Sequence, residues 1–232
     1  MRLIKIPIIY EDNHLLIVEK PPNILSQKDR TGDKDMLTLL KEDLKIRYNK
    51  PGNVFLGLVH RLDRPVGGVM AFAKTSKGAS RLSEQIKKGE FTRSYLAIVH
   101  GHPKKPKGTL IHYLLKDQKT NMVAAVSKKT PGAQEAILDY EVLGSQDKLS
   151  VVKVNLRTGR PHQIRVQFST YGHPLFGDQR YGRRHNRPGQ PIGLWAYEIS
   201  FLHPISKERV TFQSIPDRYP WNQFDFHKSI ML

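Results

Sequence analysis

The stretch Phe55-Leu56-Gly57-Leu58-Val59-His60-Arg61-Leu62-Asp63-Arg64-Pro65-Val66-Gly67-Gly68-Val69-Met70-Ala71-Phe72-Ala73 sets one acid between two arginines. Apolar runs of strand length lie on either side, Phe55 to His60 and Gly68 to Ala73. The pattern predicts strand, loop, strand, with Asp63 on the loop. Loops held by a rigid scaffold are where chemistry is usually placed. By residue type alone the acid has two readings. It is a surface ion pair with Arg64, worth little, or it is a carboxylate kept ionised in a positive pocket.

Working outward, Ile8 to Lys20 carries the apolar run LLIV and predicts a buried strand, stopped by Pro21-Pro22-Asn23. Asp33 or Asp35 then precedes Leu37, Leu40 and Leu44, the spacing of an amphipathic helix that ends at Asn49-Lys50-Pro51-Gly52. Beyond Ala73, Thr75 or Ser76 caps a helix to about Lys88, with Ala79, Leu82 and Ile86 facing inward and Gly89 as a left-handed stop. Strands follow over Ser94 to Val99, Thr109 to Leu115, Ala136 to Leu143, Leu149 to Leu156, Gly193 to Phe201 and Arg209 to Ile215. In TGRPHQIRVQFSTYGHP, Pro161 suits the start of a helix, and Ile164, Phe168 and Tyr171 recur at helical spacing. Gly172 and Pro174 end it, and Arg165 lies next to Ile164 near the inner edge. No repeat, linker or boundary stands out. The expectation is one α+β domain over residues 1–232, a mixed and mostly antiparallel sheet with flanking helices.

Charge is the strongest global signal. Lys and Arg number 38 against 21 Asp and Glu, a net +17. Such an excess favours a polyanionic partner; the alternative is a solvated basic face. Between Gly101 and Gly132, Lys104, Lys105, Lys107, Lys116, Lys119, Lys128 and Lys129 face Asp117 alone. Between Arg157 and Arg187 stand seven arginines, Arg160, Arg165, Arg180, Arg183 and Arg184 among them, against Asp178 alone. This second block is interleaved with Tyr171, Phe176 and Tyr181, and planar guanidinium groups beside rings suit RNA bases. No run approaches the ~20 apolar residues of a membrane span. The opening residues are threaded with charge and do not read as a signal peptide. The absence of cysteine excludes disulfides, thiolate metal sites and a Cys nucleophile, and fits a reducing compartment. GxxxxGK, GxGxxG, GxSxG and HExxH are all missing, and the histidines lack zinc-site spacing.

Asp63, Tyr95, Arg165 and Arg61 remain as candidates for chemistry, far apart in sequence. Taken singly, Tyr95 is as readily a core ring and Arg165 as readily one more phosphate contact. Four blocks in order change the weighing: IIYEDNHLLIVEKPPNILSQ, LVHRLDRPVGGVMAFAKT, FTRSYLAIVHG and LRTGRPHQIRVQFSTYGHPLFGDQRYG, followed by LWAYEISFLHP. Together they resemble the RluA-type family of RNA pseudouridine synthases from about Ile8 to Pro204, and HRLD matches the family signature.

The resemblance implies the pseudouridine synthase catalytic fold and an intramolecular transferase, or isomerase, that turns a uridine of structured tRNA or rRNA into pseudouridine. It implies Asp63 as the essential aspartate, Tyr95 as the tyrosine that stacks on the target ring and assists proton removal, and Arg165 as the aspartate's cationic partner. Arg61 is implied as the side chain that fills the gap left by a flipped base, and Ile164 as an apolar contact on the ring. His60, Arg160, Lys104 and Lys105 complete the expected RNA contacts. No cofactor, metal or membrane is expected, and a cytoplasmic monomer is the simplest form.

Two departures stand out. Val66-Gly67-Gly68 replaces the family's usual Thr-Ser-Gly, so two hydroxyls are lost beside the aspartate. The catalytic pattern begins by Ile8, so no separate N-terminal RNA-binding domain is expected. Two other readings compete: a non-catalytic RNA binder on the same fold, and a hydrolase pairing Asp63 with a second acid such as Asp178.

Overall fold

The computed structural model describes residues 5–225; residues 1–4 and 226–232, the ends of the expected single domain and the first residues of the signal-peptide reading, lie outside them. In chain order the elements are β1 (Ile8–Glu11), β2 (Leu15–Lys20), α1 (Met36–Arg47), β3 (Gly57–Leu58), β4 (Gly67–Ala73), α2 (Ser76–Lys88), β5 (Thr92–His100), β6 (Lys107–Lys116), β7 (Val123–Val126), β8 (Gln134–Gln146), β9 (Leu149–Leu156), α3 (Gln163–Thr170), β10 (Leu194–Leu202) and β11 (Arg209–Gln213), with a short 3-10 turn at Trp221–Gln223. The fold is α+β, with a largely antiparallel sheet and few helices. The chain divides into two compact units, Met1–Arg93 with Ala196–Ile215, and Ser94–Trp195 with Pro216–Leu232.

In the first unit the order is β1-β2-β4-β10, with β3 on β4 and β11 on β10. β2 lies antiparallel to β4 from Leu15↔Ala73 to Lys20↔Gly68. Every residue of β4 is buried, which is why GGVMAFA reads as an unbroken small and apolar run rather than an alternation. The segment expected as one strand is a pair instead, because Asp12 turns the chain: its carboxylate accepts the N–H groups of His14 and Leu15. β3 covers only two residues of the longer strand expected from Phe55, since Phe55 is exposed.

Asp35 caps α1 by accepting from the Thr38 N–H, and Thr75 caps α2 through the Gly78 N–H. Gly89, at φ 74°, ends α2 in the left-handed conformation. The inner face of α2 is Gly78, Leu82 and Gln85 rather than Ala79, Leu82 and Ile86. Gln85 turns the helix this way by donating from Nε2 to the Leu202 carbonyl and accepting the Leu202 N–H at Oε1, both at 2.8 Å.

The second unit is an antiparallel sheet in the order β5-β9-β8-β6-β7. Its helix α3 lies among these strands with six consecutive buried residues, Gln163 to Phe168. Two buried glutamines fasten it. Gln163 accepts from the Thr158 hydroxyl and the Arg160 N–H and donates to the Ile137 carbonyl. Gln167 donates to the carbonyls of Leu110 and Ala136. Val166 packs with Leu114, Val123 and Ala136 beneath it.

Candidate active site

Asp63 sits on the loop between β3 and β4, half-buried, in the first unit. The loop is built from behind. Val66 donates its N–H to the Asp63 carbonyl at 3.0 Å, closing a tight turn. Leu62 is buried, and the Ser26 hydroxyl takes both of its backbone groups, accepting its N–H at 3.1 Å and donating to its carbonyl at 2.8 Å. Lys20 is fully buried at the end of β2, and its Nζ donates to the carbonyls of Pro21 (3.1 Å), Arg64 (3.1 Å) and Val66 (2.7 Å). The backbone on both sides of Asp63 is therefore fixed by buried donors and acceptors. Burial pulls the Lys20 amino group down to about 7; the charge of Asp63 acts in the opposite direction.

Arg64, the neighbour that offered Asp63 a surface ion pair, pairs instead with Asp33 at 2.7 Å. Arg61 is exposed. His60 is not placed to touch RNA. It is 7% exposed, packs on the Phe91 ring at 5.5 Å, and accepts the Ala71 N–H at Nε2 (3.0 Å). Burial, with Arg93 nearby, pushes its pKa down to about 3, so it is a neutral packing group. A sequence reading that takes every residue of a signature as a contact misses this, because the chain past β3 turns the His60 ring inward onto Phe91.

The second unit carries Tyr95 and Arg165. Tyr95 is buried on β5, opposite Val154 of β9. Arg165, 7% exposed on α3, meets Asp178 side-on: Nε to Oδ2 and a terminal nitrogen to Oδ1, both 2.8 Å. Asp178 Oδ1 also accepts the N–H groups of Arg180 and Tyr181. Burial raises the Asp178 pKa, but the Arg165 guanidinium and these N–H donors outweigh it and hold the carboxyl below its usual range. The Tyr181 ring lies under the guanidinium, 5.2 Å from Cζ to centroid. Its hydroxyl accepts the Val123 N–H and shares a hydrogen bond with His162 Nδ1, 2.6 Å away. Edge and face of Arg165 are thus both held.

Ile164 is buried on α3, and Arg160 sends Nε to the Glu135 carbonyl at 2.9 Å. Lys104 and Lys105 are exposed in the bend between β5 and β6. Sequence reasoning gave no role to Lys20 or Ser26, read Tyr181 as a ring for RNA bases rather than a support for Arg165, and treated Asp178 only as a rival catalyst. The lone acid in an arginine-rich block was the available signal for Asp178 as a structural counter-ion.

These units belong to a defined class. A family model described as RNA pseudouridylate synthase matches residues 14–170. The chain is 33% identical over 220 residues to the RNA pseudouridine synthase YhcT of Bacillus subtilis, covering 90% of this chain and 68% of that protein. It is 31% identical over 234 residues to tRNA pseudouridine synthase C of Haemophilus influenzae, covering 93% of this chain and 95% of the relative. The fold resembles human RNA pseudouridylate synthase domain containing 4, with a TM-score of 0.77 at 21% identity over 92% of this chain and 89% of that one. The chain belongs to the RNA pseudouridine synthase family and is therefore an isomerase acting on RNA. Within that family it is a member of the RluA type.

Proposed function

We propose that the protein isomerises a particular uridine in structured tRNA or rRNA by flipping the base and using Asp63 in an aspartate-dependent mechanism. The observation that supports this most is the construction of the signature loop. Two buried side chains, Lys20 and Ser26, hold its backbone, while the adjacent Arg64 is drawn to Asp33. A loop anchored this firmly presents its acid in one geometry, which catalysis needs.

A uracil within a stack is out of reach, so the nucleotide turns out of the strand at a cost of a few kcal/mol. Arg61 takes over stacking and phosphate contacts at the vacated place. The ionised Asp63 carboxylate attacks, or stabilises, the electron-poor sugar or ring as the bond between the sugar and N1 breaks. The freed uracil turns, and carbon 5 bonds to the sugar as any bond to Asp63 breaks and the carboxylate is released. The proton on carbon 5 leaves to Tyr95 or a water, N1 ends protonated, and no electrons are gained or lost. Arg165 favours the ionised acid, Ile164 gives the ring an apolar contact, and Arg160, Lys104 and Lys105 contact the RNA. The enzyme works as a cytoplasmic monomer without a cofactor.

A hydrolase using Asp178 as its second acid is disfavoured, because both oxygens of that carboxylate are committed to Arg165. A mere RNA binder would have no use for an acid in so rigid a loop. The test is a map of pseudouridine across tRNA and rRNA with and without the protein. One or a few sites should vanish without it and return on its addition to the unmodified RNA; an unchanged map refutes the proposal.

A further inference from the structure

In the second unit, residues 179–187 form a loop whose backbone is braced from inside. Asn186 is 7% exposed. Its Oδ1 accepts the Gly177 N–H at 2.7 Å and meets His100 Nε2 at 2.8 Å. Its Nδ2 donates to the carbonyls of Leu175 and Gly182, both at 2.9 Å. Gly182 leaves room for this, since a Cβ there would lie 2.7 Å from Asn186 Nδ2. The loop ends are tied by Gln179 Nε2 donating to the Arg187 carbonyl and by the Arg187 N–H donating to Gln190. At its root, the Asp178 carboxylate holds the N–H groups of Arg180 and Tyr181 as well as Arg165.

From this fixed backbone Arg183, Arg184 and Arg187 project into solvent. Three other exposed arginines are matched with acids, Arg47 with Glu11 and Asp43, Arg64 with Asp33 and Arg157 with Asp139. Among the described residues, no carboxylate lies within ion-pair distance of Arg183, Arg184 or Arg187. Three uncompensated guanidinium groups repel one another, and folding gains nothing from them. A preordered frame also lowers the entropy lost when a partner binds, and guanidinium forks suit phosphate oxygens.

We propose that this loop is a phosphate clamp, in which Arg183, Arg184 and Arg187 grip the backbone of the substrate RNA. The proposal rests on the assignment of RNA as substrate. Asp178 makes the clamp one piece with the end of α3 that carries Arg165, so a gripped strand is registered against that arginine.

The test replaces all three with alanine in the full chain and compares wild type with a control lacking Lys45, Lys77 and Lys87, exposed cations of α1 and α2 in the first unit. Binding of unmodified tRNA and rRNA fragments is measured against salt, together with steady-state isomerisation. The clamp predicts that the slope of log affinity against log salt falls by about 2 to 3 units. It also predicts a rise in KM on the order of tenfold or more, larger than any change in kcat, while the control keeps most of the slope. Because the three side chains make no hydrogen bond or ion pair with the described residues, the thermal midpoint should stay at the wild-type value. An unchanged slope and KM, or an equal loss in the control, overturns the clamp. If wild type binds RNA with the loop-dependent slope yet converts no uridine, the proposed reaction fails and the clamp stands.

Discussion

Lys20 ends a strand whose other residues are apolar or acidic, and its amino group serves three carbonyls around the turn that carries Asp63. His60 works as a neutral acceptor for the Ala71 N–H of β4. Its pKa falls from an ordinary 6.5 to about 3 on burial. Between those values the unfolded chain binds a proton at this ring that the folded chain refuses. The stability it contributes is full above pH 6.5 and is lost as the pH falls toward 3. Lowering the pH to 4.5 should cost wild type about 2–3 kcal/mol from this group. His60→Gln keeps an acceptor for the Ala71 N–H and removes the titration. Urea unfolding at pH 6.5 and 4.5 should show a correspondingly smaller acid loss in the variant; equal losses would contradict a neutral buried His60. Asp63, Tyr95 and Arg165 were legible as candidates because their motifs are short and continuous. Lys20 and Ser26 were not, because the groups they hold lie 36 to 46 residues away, a pairing that no local pattern encodes.

Among the elements, β4 decides whether the signature loop stays in place. Gly68 has φ 119°, and a Cβ there would lie 2.2 Å from the Ala196 carbonyl oxygen and 2.6 Å from its nitrogen. Both atoms are backbone, so neither can rotate away. Gly68→Ala should therefore destabilise the protein by on the order of 3 kcal/mol or more, read as a lower denaturant midpoint; a loss under about 1 kcal/mol would contradict this packing. The family's glycine is thus kept here for close approach, while the two hydroxyls missing before it leave a loop held by Lys20 and Ser26. Helix starts were readable from Asp35 and Thr75, and α2's end from Gly89, because caps are local chemistry. The face of α2 was not, because the buried amide of Gln85 pairs with Leu202, a strand residue 117 positions away. β7 was missed because VAAV is short and half small residues; it exists by pairing along β6 from Val123↔Lys116 to Val126↔Tyr113.

Over the whole molecule, sequence gave the α+β class and the antiparallel strands, but not the division into two units. Each unit is discontinuous, and the chain passes from one to the other inside β5, inside β10 and again after β11; in the first two an apolar strand shows no change of composition. The net charge of +17 is concentrated in the second unit's lysine and arginine blocks, which suits a polyanion. Among the described residues no helix is long and apolar enough to cross a membrane. The account depends most on the carboxylate of Asp63, and one substitution isolates it: Asp63→Asn removes the charge with almost no change of shape. Pseudouridine formed in unmodified tRNA and rRNA, measured beside RNA affinity, is predicted to fall to none with affinity within a few-fold of wild type; conversion at the wild-type rate would contradict the account.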